Sequence, residues 1–149
     1  MKVKALDLTR YYPRSPKEKV GGIVHLARMI DKARAKAAGT VGEYIYPCPL
    51  DQSLLDFLGT TGDAFYEAVK DLDGGEVLDW LRQNTRTRSP EEIEEWNQTL
   101  LNRKPRSEES MRHFIESRSQ FAPHRTDVTA WADLLDLEEG REVPYRRVT

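Results

Sequence analysis

Apolar residues recur at three- and four-residue intervals along most of this chain, and Gly, Pro, Ser and Asp signals cut the pattern into short segments. Alternation at a period of two, the mark of a half-buried strand, is almost absent. That combination restricts the chain to helices packed on helices. Leu54, Leu55 and Leu58 share one side of a helix over 50–58 that Gly59 stops. Phe65, Ala68, Val69 and Leu72 define a helix over 62–72, and Val77, Leu78, Trp80 and Leu81 one that starts after the break at Asp73-Gly74-Gly75-Glu76. Ser89-Pro90-Glu91-Glu92 is a capping box with Pro at the first helical position, opening a helix with Ile93, Trp96, Leu100 and Leu101. Met111, Phe114 and Ile115 mark a further helix. Thr126 reads as the cap of the last, which carries Val128, Trp131, Leu134 and Leu135 and ends at Gly140.

The longest helix is expected over 16–38. Ser15-Pro16-Lys17-Glu18 reads as its capping box and Gly39 as its stop. Gly21-Gly22 lies inside that span and marks either a close helix contact or a delayed start. A chain of 149 residues suits one domain. The expectation is therefore an all-α, compact single-domain bundle of about seven helices over 1–149, with an extended arm at 1–14 and an extended tail at 141–149.

No apolar run is long enough for a membrane span. The first residues lack the apolar stretch of a secretory signal. A single cysteine excludes an internal disulfide and an all-cysteine zinc site. These features together predict a cytoplasmic protein with no membrane partner. Residues 1–50 hold ten Lys/Arg against four Asp/Glu, and residues 51–149 hold thirteen against twenty-one. Such a dipole could steer a charged partner. It is equally accounted for if the halves neutralise each other within the fold or across a homodimer.

One region carries residues that look chemical. On a helical wheel Arg34 falls inside the apolar stripe of the first long helix, with Asp31 at the edge one turn earlier. His25, Arg28, Lys32 and Lys36 fall on the face read as solvated. A buried Arg needs a partner, and Asp31 is within reach at three residues' distance. Arg34 is then either an anion-holding group oriented by Asp31 or half of an internal ion pair, with Glu43 or Asp51 as further partners. Cys48 lies between Pro47 and Pro49 at the N-cap of the next helix. Free N–H groups there favour a thiolate, while a small residue that merely fits between two prolines explains the position as well. Tyr44 and Tyr46 alternate with Ile45, which is expected to enter the core while both phenols face one way, against a planar ligand or a helix. Asp51 and Gln52 follow on the helix. The candidate ligand-binding set is Asp31, Arg34, Glu43, Tyr44, Tyr46, Cys48, Asp51 and Gln52, with no residue assigned to catalysis.

His25, His113 and His124 have no histidine partner at helical spacing, so no metal is called, and no cofactor is implied. A metal could be held only by residues that the fold assembles. The basic stretches 82–88 and 103–106 could meet a phosphate backbone, but capping and solubility explain them too, and nucleic acid is disfavoured in so acidic a half.

Several strings resemble a family of small bacterial proteins known only as a domain of unknown function. They are Leu8-Thr9-Arg10, Pro13-Arg14-Ser15-Pro16, Gly21-Gly22, the block from Leu26 to Ala35, Gly42-Glu43-Tyr44 and Cys48-Pro49-Leu50-Asp51-Gln52. Ser89-Pro90-Glu91-Glu92-Ile93, Trp96-Asn97 and Asp136-Leu137-Glu138-Glu139-Gly140-Arg141 extend the likeness. The resemblance implies an intracellular bacterial helical protein and carries over no activity and no catalytic residue. The residues themselves favour a small cytoplasmic binding or interaction protein, with an anion pocket at Arg34 and a small anion or a protein as partner. The alternatives are a small enzyme using Cys48 or the Asp31/Arg34 pair, and a nucleic-acid-associated protein using the basic loops.

Overall fold

The computed structural model describes residues 3–146. Among them are seven α-helices and no strand ladder. In chain order these are α1 (Leu26–Ala38), α2 (Pro49–Leu58), α3 (Gly62–Val69), α4 (Gly74–Asn84), α5 (Pro90–Leu101), α6 (Glu108–Phe121) and α7 (Trp131–Glu138). The all-α architecture is the one the sequence pattern requires. Residues 1–2 of the expected arm and 147–149 of the expected tail lie outside the described residues. The rest of both segments runs without regular structure and is anchored by buried Val3, Leu8 and Val143.

Local chemistry sets most helix ends. Cys48, Thr61, Asp73 and Ser89 stand at the N-caps of α2, α3, α4 and α5, each accepting a backbone N–H with its side chain. Gly39 and Gly59 close α1 and α2 in the left-handed conformation. Two expected starts are corrected. The first long helix begins at Leu26 rather than at residue 16. Val20 and Ile23 exchange both backbone hydrogen bonds, 3.1 and 3.0 Å, around Gly21 and Gly22 at φ 59° and 81°. Paired positive φ values make a tight reversal that a helix cannot contain. Ser15 does not cap, because its hydroxyl donates to Asp136 at 3.1 Å and accepts from the Lys17 N–H. The last helix starts at Trp131 after Ala130, which makes no side-chain cap, so Thr126 does not open it.

The main core joins α1 to α4 through Leu26, Met29, Ile30, Ala33, Leu54, Leu55, Leu58, Phe65, Val69, Val77 and Leu81. Phe57 on α2 stacks on Trp96 of α5 at 5.0 Å. A smaller cluster of Phe114, Val128, Leu134 and Val143 packs α6 on α7, with the Trp131 ring edge-on to Phe114. Helix α1 is enclosed on nearly all sides, and nine of its thirteen residues are buried, Arg28, Asp31 and Lys32 among them. That overturns the solvated face read for His25, Arg28 and Lys32; of that set Lys36 alone is exposed. Ile45, expected in the core, is 69% exposed. No helix is long and apolar enough to cross a membrane.

Asn97 on α5 locks the turn that precedes α1. Fully buried, it accepts from the Val24 N–H at 3.1 Å and donates to the Gly22 carbonyl at 2.9 Å. Asn97→Ala is expected to destabilise the protein by about 1–3 kcal/mol, since it strands a backbone donor in the interior. Urea unfolding measures this, and an unchanged midpoint would mean that water reaches Val24.

Candidate functional site

The start of α1 and the start of α2 meet at one buried carboxylate. Asp51 is fully buried and is the third residue of α2. Its Oδ1 lies 2.7 Å from His25 Nε2, and its Oδ2 lies 2.6 Å from Lys32 Nζ. Oδ2 also accepts the Cys48 N–H at 2.9 Å, while the Asp51 N–H approaches Cys48 Sγ at 3.5 Å. Cys48 and Asp51 therefore form a reciprocal capping box with sulfur in the place of the usual hydroxyl. The sulfur also accepts from Lys32 Nζ at 3.2 Å. It receives two donors, and it is the one half-buried member of an otherwise buried cluster.

Protonation states follow from this packing. Burial pushes the His25 imidazole below its ordinary value, so the ring is neutral. A carboxylate only accepts, so the proton sits on Nε2 and faces Asp51. Nδ1 is buried and has no hydrogen-bond partner among the described residues. Burial alone would raise the Asp51 carboxyl; the His25 hydrogen bond and the Lys32 charge outweigh it and hold the group well below its ordinary 3.8. The imidazole nitrogen, the sulfur and a carboxylate oxygen all lie within 4.8 Å of one another.

A second charged group flanks the first. Arg28 pairs with Glu139 of the α7 C-cap, Nη1 to Oε1 at 2.9 Å and Nη2 to Oε2 at 2.7 Å. The Tyr44 hydroxyl donates to Glu139 at 2.8 Å, and its ring lies 5.6 Å from the Arg28 guanidinium carbon. Burial is the first cause that drives the Tyr44 phenol upward, with the Glu139 bond adding to it.

The residues singled out from sequence separate into members and non-members. Cys48 and Asp51 belong to the cluster, and Tyr44 borders it. Tyr46 does not share Tyr44's direction, because its buried hydroxyl donates to the Gly62 carbonyl at 2.8 Å. Glu43 is exposed, and exposed Gln52 donates to Asp56 within α2. The expected Asp31/Arg34 pair is corrected: Arg14 from the arm takes Asp31, Nε to Oδ2 at 3.0 Å and Nη2 to Oδ1 at 3.1 Å. Arg34 is half-buried and donates to the Val69 and Leu72 carbonyls at the end of α3, at 3.1 and 2.5 Å. Sequence reasoning missed His25, Lys32 and Glu139. The wheel assigns the first two to solvent, and only the acidic excess of the second half pointed to counter-charges for them.

Asp51→Ala is expected to cost about 3–5 kcal/mol, because the buried Lys32 ammonium loses its counter-charge. The same carboxylate gives the protein an acid limb. A carboxyl depressed in the fold contributes stability above its unfolded value, and that contribution fades as pH falls through about 4 toward the folded value. Thermal melts of both proteins from neutral to acid pH should converge. Parallel curves would show that Asp51 does not couple to the fold.

The chain matches the model of the family described as Domain of unknown function (DUF5069) over residues 10–141. No curated protein matches it. With the match spanning most of its length, the chain belongs to the DUF5069 family.

Proposed function

We propose that this protein is a small enzyme acting through the Cys48 thiol as a nucleophile. The observation that carries the reading is the Lys32 ammonium 3.2 Å from Cys48 Sγ, with Asp51 and His25 behind it. A nucleophilic cysteine acts as its thiolate, and adjacent cations and a helix N-terminus are what favour that form. In this reading Lys32 stabilises the attacking sulfur, Asp51 positions Lys32, and His25 positions Asp51. Of the four residues, Cys48 alone is half-buried rather than buried. The substrate would approach from the Cys48 side of the cluster, with its electrophilic atom directed at the sulfur. A thiol used in this way belongs in a reducing compartment, which we take to be the bacterial cytoplasm.

The alternative is a binding or interaction protein. It draws on the exposed aromatic and aliphatic side chains Tyr11, Tyr12 and Ile45, at 62%, 55% and 69% exposure. The anion pocket at Arg34 has less to recommend it, since two carbonyls already occupy that guanidinium.

Alkylation separates the two readings. Folded protein in EDTA is treated with iodoacetamide at neutral pH, and adduct formation is followed by mass. The enzyme reading expects labelling of Cys48 in the folded state and a several-fold slower reaction in Lys32→Met, whose melt is checked in parallel. Labelling only after unfolding, or equal rates in both proteins, removes Cys48 as a nucleophile and leaves the binding role.

A further inference from the structure

His25, Cys48 and Asp51 bring three kinds of donor atom within 4.8 Å of one another: imidazole nitrogen, sulfur and carboxylate oxygen. We propose that this cluster is a binding site for a zinc-type divalent cation, which displaces the ammonium of Lys32. Mixed nitrogen and sulfur donors favour zinc-type ions over magnesium or calcium, which prefer all-oxygen shells.

The cluster already holds a cation. Lys32 Nζ sits 2.6 Å from Asp51 and 3.2 Å from Cys48, touching two of the three donors. Charge balance allows the exchange. Ammonium, carboxylate and thiol sum to zero, and so do a divalent ion, carboxylate and thiolate. On binding, bonds form from the metal to nitrogen, sulfur and oxygen. The S–H bond breaks and its proton goes to water. Lys32 leaves still protonated, and water takes the open coordination position.

The scaffold holds the donors in place without fixing them too tightly. Cys48 and Asp51 are three residues apart and locked by their mutual capping box, and His25 stands at the N-cap of α1. The His25 ring is held through Nε2 alone, because Nδ1 has no partner among the described residues. Turning the ring onto a metal therefore breaks one hydrogen bond and no second one. This inference needs sulfur only as a ligand, so it does not depend on Cys48 being a nucleophile. The two roles exclude each other at any moment, because a metal-bound sulfur is shielded from alkylation.

Cobalt(II) is the probe. The full chain, freed of metal with EDTA and exchanged into EDTA-free buffer, is titrated with cobalt(II) while sulfur-to-cobalt charge-transfer absorption is followed, and zinc is then added in competition. The expected result is a saturable band that zinc abolishes. Cys48→Ser should remove the band and weaken binding by at least about tenfold, as loss of a ligand does. Serine keeps an N-cap oxygen, so α2 still starts at the same place. Lys32→Met should bind more tightly, because the competing ammonium is gone. The proposal is overturned by no band in the natural chain, by a band that survives Cys48→Ser, by a band confined to Lys32→Met, or by weaker binding in that variant. The alkylation experiment, run in EDTA, stands or falls separately.

Discussion

A single buried carboxylate organises the part of this molecule that carries chemistry. Asp51 has no exposed surface and accepts from His25, from Lys32 and from the Cys48 backbone. Each donor comes from a different place: the N-cap of α1, the interior of α1, and the N-cap of α2. Leaving a carboxylate unpaired in the interior would be prohibitive, so all three contacts must form together. The consequence is geometric. Once Asp51 is satisfied, the two helix starts are fixed against each other and the sulfur is held over the Lys32 ammonium.

The same logic runs through the charge distribution. Part of the basic first half meets the acidic second half across the fold. Arg28 meets Glu139, and Lys17 meets Asp133 at 2.7 Å and Asp136 at 3.4 Å. Arg141 returns to Asp136 and Glu139, and donates to the Pro13 carbonyl. The acidic C-terminal helix is therefore the counter-ion of the first helix and its leading arm. Helix α1 can be enclosed because each of its buried charges meets a partner from another segment: Arg28 from the end of α7, Asp31 from the arm and Lys32 from α2. The wheel assumes one buried face, and here two layers close over the helix.

What the sequence made legible was local, and what it hid was long-range. The N-caps at Cys48, Asp73 and Ser89 and the stops at Gly39 and Gly59 depend on residues within four positions, and each stands where the pattern put it. Ser15 has the same local signature and fails, because Asp136, 121 residues away, takes its hydroxyl while the paired glycines reverse the chain. Asp31 and Arg34 could have reached each other along one helix. A better bidentate partner, Arg14, came from the arm, and the end of α3 supplied carbonyls for Arg34. The site followed the same division. Cys48 and Asp51 were visible as a turn motif, whereas His25 lies 26 residues from Asp51 and joins it only through the packing of α1 on α2.

Energetics bears on why such a cluster persists. Buried ion pairs contribute little net stability, because desolvation cancels much of the attraction, and apolar residues of similar volume often serve as well. Four polar side chains meet here beside an aliphatic and aromatic core. Leu26, Leu54 and Leu55 stand in the main apolar core as well, so α1 and α2 share burial that needs no charge. The arrangement makes more sense if the charges act on something outside the core, and the one residue of the cluster that is not buried is Cys48. Its sulfur accepts from the Asp51 N–H and from the Lys32 ammonium. A serine in the same cap would hold the helix equally well and could neither attack a soft electrophile nor bind a soft metal. The choice of sulfur at this cap is thus the feature that fold stability explains least and chemistry explains best.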